Sequence, residues 1–144
     1  QKYYFDTITG EGSEKMTKEA IDLAQKSDVV VVFAGLPNTY ECEGYDRKHL
    51  RLPESQDKLI HELAKVNKSI VVVLHNGSPI EMNWINNVKG IVETYLGGQG
   101  VGQAVCNILY GKVNPSGKLA ETFPLRLEDT PCYLSFPGDG KKAI

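Results

Sequence analysis

Asp28-Val29-Val30-Val31-Val32-Phe33-Ala34-Gly35 is the stretch on which the fold turns. It is an unbroken apolar, β-branched run, too short for a helix of ordinary length. It predicts a strand over 28–34, covered on both faces. Two further runs have the same character, Ser69 to His75 (SIVVVLH) and Gly90 to Tyr95 (GIVETY). Between the first two lies a helical pattern opened by Pro53. Glu54 and Asp57 suit the positive end of its dipole, and Leu59, Ile60, Leu63 and Ala64 form its apolar stripe. Before the first run, Ser13 caps a predicted helix reaching about Lys26, with Met16, Ala20, Ile21 and Ala24 on one face. After the third run, a helix is predicted from Gly100 through Tyr110, ended by Gly111. Shorter expectations are a strand over 3–8, a weak helical stretch over 80–85, a strand over 118–123 and an extended tail after Pro124. Alternation of strand and helix implies right-handed crossovers and an α/β fold: a three-layer αβα sandwich, its sheet mostly parallel with helices on both faces.

Composition narrows the function classes. A chain of 144 residues, 41% apolar, can build one domain with a core. A net charge of -2 without a long run of one sign argues against a nucleic-acid partner or an anionic membrane surface. No apolar run is long enough to span a bilayer. Gln1-Lys2-Tyr3-Tyr4 lacks the apolar core of a signal peptide, and the chain starts without Met, so a processed chain or a piece of a longer one is expected. Cys42, Cys106 and Cys132 match neither a zinc pattern nor a disulfide framework, which favours a reducing, cytosolic setting. Cys106 is expected to be buried on a helix face. Cys42, between two glutamates, makes a poor nucleophile.

Chemistry concentrates in one loop. Glu41-Cys42-Glu43-Gly44-Tyr45-Asp46-Arg47-Lys48-His49-Leu50 follows the first strand and places three carboxylates and an arginine close together. Long loops at strand ends commonly carry function, although such a run of charges also suits a solvated surface. In an extended segment Glu41 and Glu43 point to the same side, so spacing does not separate them. Arg47 suits either the hydroxyls of a ligand or an anchor between loop and sheet. His49 is a candidate partner of Asp46, and His75 reads as a satisfied core histidine. Trp84 either stacks on the ring of a ligand or covers a sheet edge or domain interface. Gly97-Gly98-Gln99-Gly100-Val101-Gly102 sits between a strand and a helix, as a phosphate-binding turn would. It lacks the acidic ribose partner, and tight strand–helix packing explains it better.

Four stretches in order, Ser27 to Gly35, Glu41 to Leu52 leading into Pro53 and Gln56, Val71 to Pro79 (VVVLHNGSP), and Tyr95 to Pro124, resemble the second, α/β-sandwich domain of glycoside hydrolase family 3, the β-glucosidase-type enzymes. The last stretch contains Leu96-Gly97-Gly98-Gln99-Gly100 and Asn114-Pro115-Ser116-Gly117-Lys118-Leu119, closed by Thr122-Phe123-Pro124. The resemblance implies retaining hydrolysis of a β-linked glucoside or oligosaccharide without a cofactor or metal. The nucleophile is an aspartate on a (β/α)8 barrel domain, and the general acid/base is a glutamate from the loop. The matching residue is Glu43, with Glu41 as second choice; Asp46, Arg47 and Tyr45 are candidates for substrate binding. Glu41 and Asp46 lie close enough in sequence to raise the pKa of the acid.

The barrel that completes such a site needs about 250 residues, more than this chain holds. The expectation is therefore an α/β-sandwich domain over 1–137, incomplete at both ends, with a tail over 138–144. It would be inactive alone and would need a barrel domain as its partner. Its uncovered sheet edge would be open to pairing with a second copy. Two other readings stay open: a non-catalytic carbohydrate-binding or interaction module, and a flavodoxin-like nucleotide binder using Gly97 to Gly102.

Overall fold

The computed structural model of the chain describes residues 12–136 and Gly138; the strand expected over 3–8 lies outside them. Helix α1 (Glu14–Ala24) precedes strand β1 (Val30–Gly35), helix α2 (Glu54–Val66), strand β2 (Ile70–His75), strand β3 (Gly90–Glu93) and helix α3 (Val101–Leu109). Single 3-10 turns stand at Ile85–Asn87, Gly98–Gly100 and Leu127–Asp129. The strands form one parallel sheet in the order β1-β2-β3. Val30 pairs with Ile70 and Gly35 with His75, while Val71 pairs with Gly90 and Leu74 with Glu93. The architecture is the expected α/β sandwich. Among the described residues no helix is long and apolar enough to cross a membrane.

The core lies on one face of the sheet. Ala20 and Ala24 of α1 and Leu59, Ile60, Leu63 and Ala64 of α2 pack over Val32, Ala34, Ile70, Val72 and Leu74. Central β2 is buried through Val72, Val73 and Leu74, as its unbroken apolar run requires. Strand β1 departs from the expected two-sided burial: Val32 and Ala34 are buried, but Val31 and Phe33 are 39% and 42% exposed. As an outer strand it is covered by α1 and α2 on one face only.

Five other expectations are corrected. Residues 80–85 form no helix. Ile80 and Trp84 are drawn into the core, Glu81 N–H donates to Leu50 C=O at 2.8 Å, and only a turn over 82–85 leads into the 3-10 turn that begins at Ile85. Trp84 accordingly faces neither a sugar nor an interface; it is fully buried, with Nε1–H donating to Asp57 Oδ1 at 2.9 Å. Residues 118–123 form no strand, because no described strand offers them a ladder, and the tail beyond Pro124 turns rather than extends. Cys106 is exposed, since α3 turns Val105 inward instead.

Polar side chains fasten the elements. Gln56 occupies the apolar stripe of α2 and is buried. Its amide is clamped to Gly35, accepting from Gly35 N–H at 2.9 Å and donating to Gly35 C=O at 3.0 Å. It stands in for the neighbouring strand that the end of β1 lacks. Gly35 has no alternative here, because a Cβ would sit 2.0 Å from His75 O. Asn67 joins the two helices: its amide donates to Ala24 C=O and Ser27 C=O at 2.9 and 2.7 Å, and its Oδ1 accepts from Ser69 N–H. At the end of β2, the His75 ring stacks on Phe33. Thr94 hydroxyl donates to Leu74 C=O, so His75 Nδ1, 2.8 Å away, must donate to that hydroxyl.

Replacing Gln56 with Leu keeps the apolar contacts and strands both polar groups of Gly35. The expected loss is about 1–3 kcal/mol, read from urea unfolding midpoints. Burial pushes the His75 pKa below its ordinary 6.5. Above that value both states are neutral. As pH falls through it, the unfolded chain takes up a proton that the folded chain resists, so stability falls with pH and levels off below the folded pKa. The midpoint should therefore drop between about pH 7.5 and pH 5.5, and less in His75→Gln.

Candidate functional site

Three loops leave the carboxyl ends of β1, β2 and β3, and the candidate residues gather there. The first begins with a turn in which Pro37 C=O accepts from Tyr40 N–H and Glu41 N–H at 2.8 and 3.1 Å. Cys42 and Tyr45 then form an antiparallel bridge, which puts Glu43 and Gly44 at the tip of a tight turn. The Tyr45 hydroxyl ties this turn back by donating to Asn38 C=O at 2.6 Å.

The two glutamates that spacing left unresolved occupy different environments. Glu41 is half-buried and doubly bonded: Oε2 accepts from Gly77 N–H at 2.7 Å and Oε1 from the Ser78 hydroxyl at 2.5 Å. Glu43 is exposed, and its carboxylate takes no hydrogen bond from the described residues. Asp46 is exposed on the same arch. Arg47 folds back to the second loop, where Nη1 donates to Ser78 Oγ and Pro79 C=O, both at 2.9 Å. Burial lowers the Arg47 pKa, and Glu41 and Glu81 oppose that effect.

His49 does not pair with Asp46. Its ring packs edge-on against Tyr40, and burial together with Arg51 and Arg47 lowers its pKa. The second and third loops are joined by Asn76, which is fully buried. Its amide donates to Ser78 C=O at 3.0 Å and to Glu93 Oε2 at 3.1 Å. Burial raises the Glu93 pKa, partly offset by bonds from Tyr95 N–H and Asn76. Tyr95 follows in the left-handed region at φ 48°, unusual for a residue with a side chain, and its N–H donates to Glu93 Oε1 at 2.8 Å. Buried side-chain atoms without a partner among the described residues belong to Arg47, His49, Asn76 and Tyr95. All four residues lie on these loops, so the unmet polar groups of the described residues concentrate in the interior of the carboxyl end of the sheet.

The glycine-rich turn differs from a phosphate cradle. Gly98–Gly100 is one 3-10 turn leading into α3, and Val101 N–H is already bonded to Gly98 C=O. Gly98 answers a backbone demand, φ +63°, with open space where its Cβ would go, so tight packing is not its reason. Gly97 is the crowded position, a Cβ there falling 2.6 Å from Val101 Cγ2. A cleft of about 420 Å³ lined by His61, Lys65, Lys68 and Lys89 lies at the opposite, amino end of the sheet. Its lysines at the end of α2 suit the helix dipole.

Sequence reasoning missed Ser78, Asn76 and Glu93. Ser78 and Asn76 belong to a turn whose composition says only that a strand ends there. Gln56 did leave a trace, as a polar residue inside an apolar helical stripe.

Comparison with known proteins agrees with this geometry. The family model of the glycosyl hydrolase family 3 C-terminal domain matches residues 1–143. A thermostable beta-glucosidase B of Acetivibrio thermocellus is 57% identical over 126 residues, covering 88% of this chain and 17% of that protein. An exo-alpha-(1->6)-L-arabinopyranosidase of Bifidobacterium longum is 44% identical over 125 residues, covering 86% of this chain and 16% of its own length. The crystal structure of a Bifidobacterium adolescentis GH3 beta-glucosidase superposes with a TM-score of 0.88 at 42% identity, covering 94% of this chain and 20% of that one. The chain thus spans about one sixth of the curated relatives it matches. With the α/β sandwich, the ordered motifs and a family match along nearly its whole length, the chain belongs to glycosyl hydrolase family 3 as its C-terminal domain.

Proposed function

We propose that this domain supplies the general acid/base to a retaining β-glucosidase-like active site, with Glu43 in that role. The observation that carries the reading is the contrast between the two glutamates. Glu41 is saturated by Gly77 N–H and Ser78. Glu43 stands exposed at the tip of a bridged turn with its carboxyl uncommitted. A carboxyl that must donate to a leaving oxygen, then accept a proton from water, needs such freedom on a held backbone.

In this reading the nucleophile comes from a barrel domain outside the chain, about 5–5.5 Å from the Glu43 carboxyl, as a retaining mechanism requires. Protonation of the glycosidic oxygen accompanies attack by the nucleophile. The same carboxylate then activates water to release the sugar. Leu96, Leu125 and Leu134, 76%, 83% and 95% exposed, suit burial by the rest of a longer protein. Arg47 is read as an anchor and not as a sugar ligand, because its Nη1 is spent on the second loop and its Nε and Nη2 are buried. Relatives named for glucosides and for an arabinopyranoside favour a sugar ring read mainly by other parts of the protein.

The test is to graft this chain into the Acetivibrio thermocellus enzyme in place of the matching segment. Glu43→Ala should lower kcat/KM by about 100- to 10,000-fold on glucosides with poor leaving groups and far less on activated aryl glucosides. Azide should restore part of the second step. The same pattern in Glu41→Ala, and not in Glu43→Ala, would refute the assignment. The chain alone should show no turnover of an aryl β-glucoside. A rate in the usual enzyme range, roughly 1–1,000 per second, would show that no barrel is needed.

A further inference from the structure

Glu41 and Arg47 stand at the two feet of the arch Cys42–Asp46, and both feet rest on one hydroxyl. Ser78 Oγ–H donates to Glu41 Oε1 at 2.5 Å, and the same oxygen accepts from Arg47 Nη1 at 2.9 Å. Each foot has one further bond to the same turn, Glu41 to Gly77 N–H at 2.7 Å and Arg47 to Pro79 C=O at 2.9 Å. Both contacts made by Ser78 are charge-assisted, the stronger kind of hydrogen bond. The turn is itself held from behind, because Asn76 donates to Ser78 C=O.

Along the arch, the only cross-links among the described residues are the Cys42–Tyr45 bridge and the Tyr45–Asn38 bond. Those act within the first loop and cannot fix its placement against the sheet. The tie to β2 runs through the Ser78 turn.

We infer that Ser78 is a positioning residue: its hydroxyl closes the arch and sets where the Glu43 carboxyl is presented. The inference rests on Glu43 being the acid/base. Ser78 touches no reacting atom and acts only through Glu41 and Arg47. Its loss leaves each foot one bond, so the domain stays folded while the arch gains freedom. An acid displaced by about 1 Å loses much of its effect, whereas a nucleophile held elsewhere does not feel the change.

The experiment uses the grafted Acetivibrio thermocellus enzyme with Ser78→Ala, Ser78→Thr and Glu43→Ala, assayed on aryl glucosides of graded leaving-group acidity. Ser78→Ala should lose about 10- to 100-fold in kcat/KM on the poorest leaving groups and less than about threefold on the best. The melting temperature should be little changed, and Ser78→Thr, which keeps the hydroxyl, should recover the loss. An equal loss on every substrate, or none, would overturn the positioning role. If Glu43→Ala shows no leaving-group dependence, the acid/base assignment falls first. If Glu43→Ala shows it and Ser78→Ala does not, only the role of Ser78 falls. Amide exchange in the 144-residue chain is a second reading. Ser78→Ala should speed exchange over Cys42–Asp46 at least about tenfold and leave Val71–Leu74 protected; an unchanged arch would count against the inference.

Discussion

The register of the β1–β2 pair is the constraint on which the rest depends. It sets Gly35 opposite His75, so two loops leave the sheet side by side. Leu36 N–H still bonds to His75 C=O at 3.0 Å, carrying the ladder one residue past the strand end. Only then does the first loop diverge, and it returns at Glu41 and Arg47 to meet the turn that follows His75. A slip of one residue would reverse the faces of β1 and move both loop origins. The close approach of Gly35 to His75 O and the Gln56 clamp both oppose such a slip.

Apolar burial and polar closure divide the work between the faces and the ends of the sheet. On the α1/α2 face, aliphatic side chains fill the space and the indole of Trp84 adds bulk. Its one polar group is met by Asp57, whose carboxyl burial pushes up in pKa while the indole bond pulls it down. At the carboxyl end, Glu41, Asn76, Ser78 and Glu93 are satisfied mostly by one another and by backbone. Such a network rigidifies when its members are paired. Its unpaired remainder, on Arg47, His49, Asn76 and Tyr95, is buried within the same three loops. Rigidity around an uncommitted carboxyl is the combination that acid catalysis by Glu43 would call for.

Much of this was legible in the residues. The apolar runs at 30–35, 70–75 and 90–93 are strands, and the 3.6-residue stripe from Leu59 to Ala64 is the buried face of α2, because burial periodicity is a local property of the chain. Where the pattern misled, a partner was missing or a side chain had a better place. The residues over 118–123 have strand-like composition and no ladder. Residues 80–85 had a weak helical pattern, but Ile80 and Trp84 were worth more in the core.

By itself the sequence determined the strands, the main helices, their parallel order and the loop that carries the carboxylates. Each follows from local propensity and from the short connections an α/β chain allows. Only the tertiary structure decided which glutamate is bound and which is free. Glu41 and Glu43 are two residues apart and chemically identical; they differ only because Gly77 and Ser78, 36 and 37 positions along the chain, present their donors to Glu41. Hydrogen bonds across that separation depend on strand register and loop closure, and no local spacing encodes them.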